Sequence, residues 1–195
     1  MIRKMLLPLL LLLAACATSP PSVKFADVTF SDRPRFLLDV AELQIVQEYS
    51  PPFRLPNVEH QVPLPPALAA ERWARDRLVP VGAAGTVVVR VKNAGVVESS
   101  LRTTPGMRGV FTREQAAKYD AAVEVSVEVK PAGLNTASAI ATARADRGRT
   151  VPEDISPNEL DRVLYELIEG LVRDLDVQLD ANIRTYLGRF IREVR

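Results

Sequence analysis

The sequence is short of the residues on which most catalytic and metal sites depend. It holds one cysteine and one histidine among 195 residues, so it has neither an internal disulfide framework nor a histidine-rich metal site. The 25 basic and 24 acidic residues give a formal net charge of +1, which argues against a protein that coats nucleic acid. Hydrophobic residues make up 47% and charged residues 25%, proportions that exclude wholesale disorder.

The motifs of common nucleotide and hydrolase sites are missing as well. There is no GxxxxGK[ST] or GxGxxG phosphate cradle and no GxSxG nucleophile elbow. His60 lies in a proline-rich segment, and no nucleophile partner is signalled beside it, so we expect a loop histidine rather than a catalytic base. We therefore expect no enzymatic activity, no metal and no bound cofactor.

The N-terminal segment has the order of an export signal. Two basic residues in MIRK precede an apolar run over 5–13, and Ala14, Ala15 and Cys16 follow it. The run is too short for a membrane-spanning helix, which needs roughly 20 apolar residues, and it fits the apolar part of a secretory signal.

The tetrapeptide Leu13-Ala14-Ala15-Cys16 resembles the lipobox of bacterial lipoproteins. The resemblance implies cleavage between Ala15 and Cys16, a diacylglycerol on the Cys16 thiol and an acyl chain such as palmitate on the new N-terminus. Each buried CH₂ contributes about 0.8 kcal/mol, so two or more acyl chains form a durable anchor. The alternative is an ordinary signal peptide with a chance cysteine. We expect residues 1–15 to be a signal peptide, 16–22 a lipidated cysteine and tether, and 23–195 a single periplasm-facing domain.

The residue after the cysteine, Ala17, bears on the location. In enteric lipoproteins an aspartate at that position favours retention in the inner membrane. The alanine therefore implies outer-membrane sorting in preference to inner-membrane retention, within the bacterial cell envelope.

Hydrophobic periodicity predicts an α+β fold for the rest of the chain. Alternating apolar residues predict strands over 23–30, within 35–49, from 86 onward, over 119–130 and over 137–147. Six prolines between 50 and 66 predict an extended loop, and a short helix is predicted over 67–78. We predict a two-layer α/β sandwich, with a mainly antiparallel sheet of about five strands, one wet sheet face, and one short and one long C-terminal helix.

The C-terminal helix has the clearest start signal. Ser156-Pro157-Asn158-Glu159 combines an N-cap serine, a proline at the first helical position and a glutamate three residues after the cap. Apolar residues then recur at helical spacing over about 35 residues. Gly170 interrupts them and indicates a bend or tight packing.

The order of these elements resembles that of small envelope lipoproteins, namely the lipopolysaccharide-assembly lipoprotein that plugs an outer-membrane barrel and the auxiliary lipoproteins of ABC-type lipid transporters. The body of the chain carries no diagnostic motif of either family. The resemblance implies a non-catalytic accessory role.

Two segments are candidates for contact with a partner or with lipid. Met107, Val110 and Phe111 lie among glycines and are predicted to form an apolar loop. We expect this loop to insert into a partner or a lipid tail; the alternative is that it packs Phe111 into the core. Arg144, Arg147 and Arg149 form the densest basic cluster, RADRGR, which contacts lipid phosphates or an acidic surface, or else is a solvated strand end.

Other conspicuous residues have simpler interpretations. Trp73 on the short helix is expected in the core, with a partner anchor as the alternative. Glu153 and Asp154 precede the long helix and complement its dipole. The carboxylates Glu124 and Glu128 are expected on the wet face of their strand.

These observations predict a membrane-anchored envelope lipoprotein that acts as a non-catalytic accessory or assembly subunit in envelope biogenesis or lipid transport. We expect a membrane contact through the lipid on Cys16, an envelope protein as partner, and no nucleic acid. The alternatives are a stand-alone lipoprotein that binds a lipid or glycan, and a hydrolytic enzyme.

Overall fold

The structure, a computed structural model, describes residues 24–101, 114–134 and 136–192. The α+β fold with one short and one long helix is confirmed. The elements in chain order are β1 (Phe36–Leu38), β2 (Glu42–Gln47), α1 (Pro66–Arg77), β3 (Leu78–Pro80), β4 (Thr86–Ser100), β5 (Gln115–Lys130), β6 (Ala139–Pro152) and α2 (Pro157–Tyr186), followed by a 3₁₀ turn (Gly188–Phe190).

The main sheet has four strands in the order β2-β4-β5-β6. The pairs β4–β5 and β5–β6 are antiparallel, whereas β2 runs parallel to β4 because the chain returns through α1. A second sheet pairs β1 with β3 in parallel. The structure thus has six strands, divided between a mixed sheet of four and a small sheet of two, where a single sheet of about five was predicted.

One predicted strand is wrong. Residues 24–30 form no strand and instead cross the two helices as an irregular segment, here named the strap. Two of its apolar residues, Val28 and Phe30, are buried, 8% and 3% exposed. The Phe30 amide, however, donates to the Asp76 carboxylate on α1 at 2.8 Å rather than to a neighbouring strand. The alternating pattern of the strap therefore predicted the burial of these two side chains correctly and the backbone pairing incorrectly.

The sheet has an inner face, which is buried under the helices, and a polar outer face. Inward residues are valines on β4 and β5 and alanines on β6, fully or nearly fully buried. The alanines are Ala141, Ala143 and Ala145, and α2 packs over them with its leucine stripe. Small side chains on β6 allow this close approach, because less volume separates helix and strand.

The long helix begins as predicted. The Ser156 hydroxyl accepts from the Glu159 amide, and the Glu159 carboxylate accepts from the Ser156 amide, which completes a capping box. The helix spans 30 residues and ends at Tyr186, earlier than the apolar pattern indicated. At Gly170 the expected tight packing is present, because a Cβ there would lie 2.5 Å from the Arg147 guanidinium.

The free edge of β6 is partly covered by side chains from the C-terminal part of the chain. Asn182 donates to the backbone carbonyl of Thr142 at 2.8 Å, and Arg189 donates to the carbonyl of Ser138 at 2.8 Å. One carbonyl within β6 and one just before its first residue are therefore already occupied by side-chain donors.

A buried ion network joins α1 to α2. Asp176 accepts from the Trp73 indole and from Arg77 Nε through one carboxylate oxygen, both at 2.8 Å. Arg77 also pairs with Asp180 and lies over the Phe36 ring, 4.9 Å from its centroid. Trp73 is fully buried in this network, as expected for a core residue.

Candidate functional site

A polar concavity of the outer sheet face lies where β4, β5 and β6 run side by side. It has a volume of about 440 Å³. Its floor consists of residues with little or no side chain, Gly95, Ala122 and Gly148, on three neighbouring strands. The register places Gly95 opposite Ala122 and Asp120 opposite Gly148. We refer to this concavity as the groove.

Two glycines of the groove lie close to neighbouring side chains. A Cβ on Gly95 would lie 3.2 Å from the Tyr49 hydroxyl, and a Cβ on Gly148 would lie 2.7 Å from Asp120 Oδ1. The register of β4 with β5 also shifts between Val91 and Asn93. Such irregularities re-aim side chains, and here the shift precedes the groove.

The buried carboxylate of Glu59 fixes the side chain of Tyr49, which forms one wall of the groove. The Tyr49 hydroxyl donates to Glu59 Oε1 at 3.0 Å, and the Val96 amide donates to Glu59 Oε2 at 3.3 Å. Glu59 is 2% exposed. Burial of the Tyr49 phenol, with the hydrogen bond to Glu59, raises its pKa to about 12. Tyr49 is therefore protonated at neutral pH, and it serves as a fixed wall rather than as a base.

Two aspartates line the groove, and each has a cationic neighbour. Asp120 contacts the Lys118 ammonium at 2.7 Å. Asp146 accepts two bonds from the Arg144 guanidinium, at 3.0 and 3.1 Å, and these bonds raise the pKa of Arg144. The carboxylates are thus acceptors whose charge is partly compensated by these cationic neighbours.

The amide side chains complete the lining. Asn93 accepts from the Gly95 backbone amide at 3.2 Å, and Asn57 lies beside Tyr49 in the lining. The described lining residues include no serine, cysteine or histidine. The arrangement suits hydrogen bonding to a polar ligand or to a polar protein surface, and it lacks a nucleophile–base pair.

The three arginines of the predicted basic cluster lie on two different faces. Arg144 lies on the outer face and also approaches Glu124 at 3.8 Å. Arg147 lies on the helix side, against α2, where its bonds to Asp174 raise its pKa. Arg149 is exposed. Alternation of side chains along β6 divides the cluster, and its role in phosphate contact stays a prediction.

Several predicted residues lie outside the described part of the chain. These are the lipidation and cleavage residues Cys16 and Ala15, and the loop residues Met107, Val110 and Phe111. His60 is exposed, with its ring 5.3 Å from that of Phe53 and its Nε2 3.1 Å from Gln61.

Neither a metal cluster nor a spanning helix is found in the described ranges. Among residues 24–101, 114–134 and 136–192, no three or more His, Cys, Asp or Glu side chains are grouped to hold a metal ion. Within the same ranges, no helix combines the length and apolar character needed to cross a bilayer.

The sequence did not reveal the groove. Its only trace is a set of small residues at outward positions of three strands, and those positions become neighbours only when the strand register is known. Asn57 reaches the groove from the proline-rich loop and Tyr49 from the segment just after β2, and no periodic pattern predicts the direction of either side chain.

Comparison with known proteins gives similarity to bacterial chains. A minor lipoprotein from Acinetobacter baumannii is 16% identical, with a TM-score of 0.32 over 75% of this chain and 94% of that one. Rare lipoprotein B from Shewanella oneidensis is 17% identical, with a TM-score of 0.31 over 73% and 89%. A DUF330 protein from Xanthomonas campestris is 11% identical, with a TM-score of 0.34 over 85% and 95%.

No family model and no curated protein matches the sequence. Two of the three structures are named as lipoproteins, and at these TM-scores the similarity assigns the chain to no family.

Proposed function

We propose that the chain is a lipid-anchored protein of the bacterial envelope, whose α/β domain acts as a non-catalytic accessory or assembly subunit in envelope biogenesis or lipid transport. One observation carries this proposal. Leu13-Ala14-Ala15-Cys16 follows a basic and then an apolar segment in the order of a lipoprotein signal. Lipidation of Cys16 would bring the domain to a membrane surface without a spanning helix.

The outer sheet face is the surface that we assign to the partner. It carries the groove and, beside it, an ion network in which Arg90 bonds Glu48 at 2.8 Å and Glu128 at 3.1 Å. The bond to Glu128 is the main cause of the raised pKa of Arg90. Polar groups that are fixed by such bonds lose little freedom on binding, which favours specific recognition.

Lipidation is tested by growing cells with a labelled fatty acid. We expect label on the full chain and recovery in the membrane fraction. The Cys16→Ala protein should carry no label and should leave the membrane fraction. Label on Cys16→Ala, or a soluble wild-type protein, would remove the anchor from the proposal.

The accessory role is tested by purifying the tagged protein from membranes in mild detergent. Stoichiometric recovery of a transporter or barrel subunit supports the proposal. Ala122→Leu adds a side chain to the groove floor and should reduce recovery. Thr142→Leu is the matched control, because it adds an apolar side chain on the same face outside the groove. Recovery of the protein alone would contradict the accessory role.

A second candidate is a stand-alone lipoprotein that binds a glycan, and the polar lining of the groove favours it. Carboxylate, amide and phenol groups suit sugar hydroxyls, whereas an acyl chain needs apolar walls. The space between β5 and α2 is instead filled by fully buried valines and leucines. Binding of a soluble oligosaccharide to wild-type protein, lost in Ala122→Leu and retained in Thr142→Leu, would favour this candidate.

The hydrolytic alternative is tested at His60. Normal growth and envelope integrity of cells with His60→Ala would remove the schemes that use this single histidine.

A further inference from the structure

The strap, residues 24–30, is fixed to α2 at its first described residues. The Phe25 ring stacks on Tyr165 with centroids 4.6 Å apart. The Tyr165 hydroxyl donates to the backbone carbonyl of Ala26 at 2.6 Å. A stacked ring and a short hydrogen bond at one residue define where the chain leaves the domain on its N-terminal side.

The strap is also fixed to α1. Asp27 pairs with Arg72 at 2.8 Å, and the Phe30 amide donates to Asp76 at 2.8 Å. Both helices lie on the inner side of the sheet. The chain therefore enters the domain on the helix layer, on the side opposite to the groove.

The length of chain between Cys16 and the strap limits how far the domain can turn. Seven residues, 17–23, separate Cys16 from Lys24. Eight steps of 3.3–3.6 Å span at most about 28 Å.

The outer face is too distant for such a tether. Helix and sheet layers together are about 20 Å thick, and half the width of a four-stranded sheet adds about 10 Å around the edge. A path of about 30 Å equals or exceeds the full extension of the tether. A flat contact of the outer face with a bilayer that holds Cys16 would thus require the tether at its full extension.

From this geometry we infer that the helix layer around the strap faces the lipid bilayer, and that the groove opens away from it into the aqueous compartment. The inference rests on the lipid anchor of the proposed function. It goes beyond that function because it fixes which surface meets the membrane and which remains open to the partner.

Charge contributes little to this orientation. The arginines nearest the strap have acidic partners within the domain, since Arg72 pairs with Asp27 and Arg173 pairs with Glu169 at 2.8 Å. Compensated charges attract anionic lipid weakly. The orientation should therefore be the same on zwitterionic vesicles and on vesicles with anionic lipid.

The test uses the full lipidated protein in phosphatidylcholine vesicles that contain a headgroup-nitroxide lipid. Cys16 is the single cysteine of the chain and is acylated, so the fluorophore can react only with the introduced cysteine. A fluorophore is placed at Leu68→Cys on α1 or at Ile140→Cys on the outer face. The two sites are matched aliphatic positions, 41% and 50% exposed.

We expect loss of fluorescence from the Leu68→Cys probe and none from the Ile140→Cys probe. Arg75→Cys and Thr142→Cys form a second pair on the same two surfaces, in case either first variant fails to fold. If the protein floats with the vesicles but both probes of a pair are quenched equally, or the outer-face probe is quenched more, the orientation is wrong although the lipid anchor is supported. Protein that fails to float would overturn the anchor and the orientation together.

A variant with a longer tether provides an independent test of the orientation. Insertion of about ten Gly/Ser residues after Ser22 raises the maximal span to roughly 60 Å. The difference in quenching between the two probes should then decrease. An undiminished difference would contradict the tether as its cause.

Discussion

Removal of Asp176 tests the buried ion network between α1 and α2. Its side chain is 4% exposed and that of Arg77 is 1% exposed. In Asp176→Ala, the Trp73 indole loses its acceptor and Arg77 retains Asp180 as its counter-ion. Removal of one partner from a buried pair costs about 3–5 kcal/mol. Because Asp180 compensates part of the charge, we expect a loss near the lower end, about 3 kcal/mol in the free energy of unfolding.

Two further variants separate charge from shape. Asp176→Asn keeps an oxygen acceptor and should cost about 1–3 kcal/mol, the range for a weakened buried bond. The double variant Arg77→Met with Asp176→Leu removes both charges from the core. It should be more stable than Asp176→Ala, because a paired buried charge roughly offsets its own desolvation, but less stable than wild type, because the Trp73 indole still lacks its acceptor.

The assay is urea unfolding of the chain from residue 16 onward with Cys16→Ser, which avoids lipid. Trp73 is the single tryptophan, so its fluorescence reports on the network itself, and far-UV circular dichroism tests two-state behaviour. The reasoning is refuted if Asp176→Ala loses under about 1 kcal/mol, or if the double variant is no more stable than Asp176→Ala.

Three other predictions concern local features. Gly82→Ala should lower the free energy of unfolding by about 1–3 kcal/mol, because its Cβ would lie 2.5 Å from a backbone nitrogen. Gly170→Ala should stay within about 1 kcal/mol of wild type, because only the end of the Arg147 side chain must move and alanine favours the helix. Thermal unfolding of the two variants compares these costs directly. The raised pKa of Tyr49, about 12 against 10.0, means that the folded chain keeps a proton between pH 10 and 12 that the unfolded chain has lost. Stability should therefore fall as pH rises through this window, and should fall less in Tyr49→Phe, as urea midpoints at each pH will show. Ser156→Ala should lower stability by about 1 kcal/mol through loss of the capping box, and an unchanged urea midpoint would contradict this.

The helices were predictable because their signals are local. The capping residues of α2 lie within four positions, and its leucines recur on one side. Strand alternation in β4 and β5 was equally plain, because one sheet face is buried and the other is wet.

Pairing partners were less predictable, because they depend on distant contacts. Alternation in the strap resembles that of a strand, yet its amide at Phe30 finds a carboxylate on α1. The parallel pairing of β2 with β4 follows from the path of the chain through α1. The groove needs the register of three strands together, and no single segment contains that information.

The covered edge of β6 has a consequence for copies of the protein at high surface density. Confinement to a membrane plane would bring many identical domains close together, where exposed strand edges can join into continuous sheets. Asn182 and Arg189 already hold two edge carbonyls, so an incoming strand must displace them before it can pair. The last turns of α2 and the 3₁₀ turn thus hinder the addition of a further strand along this part of the β6 edge.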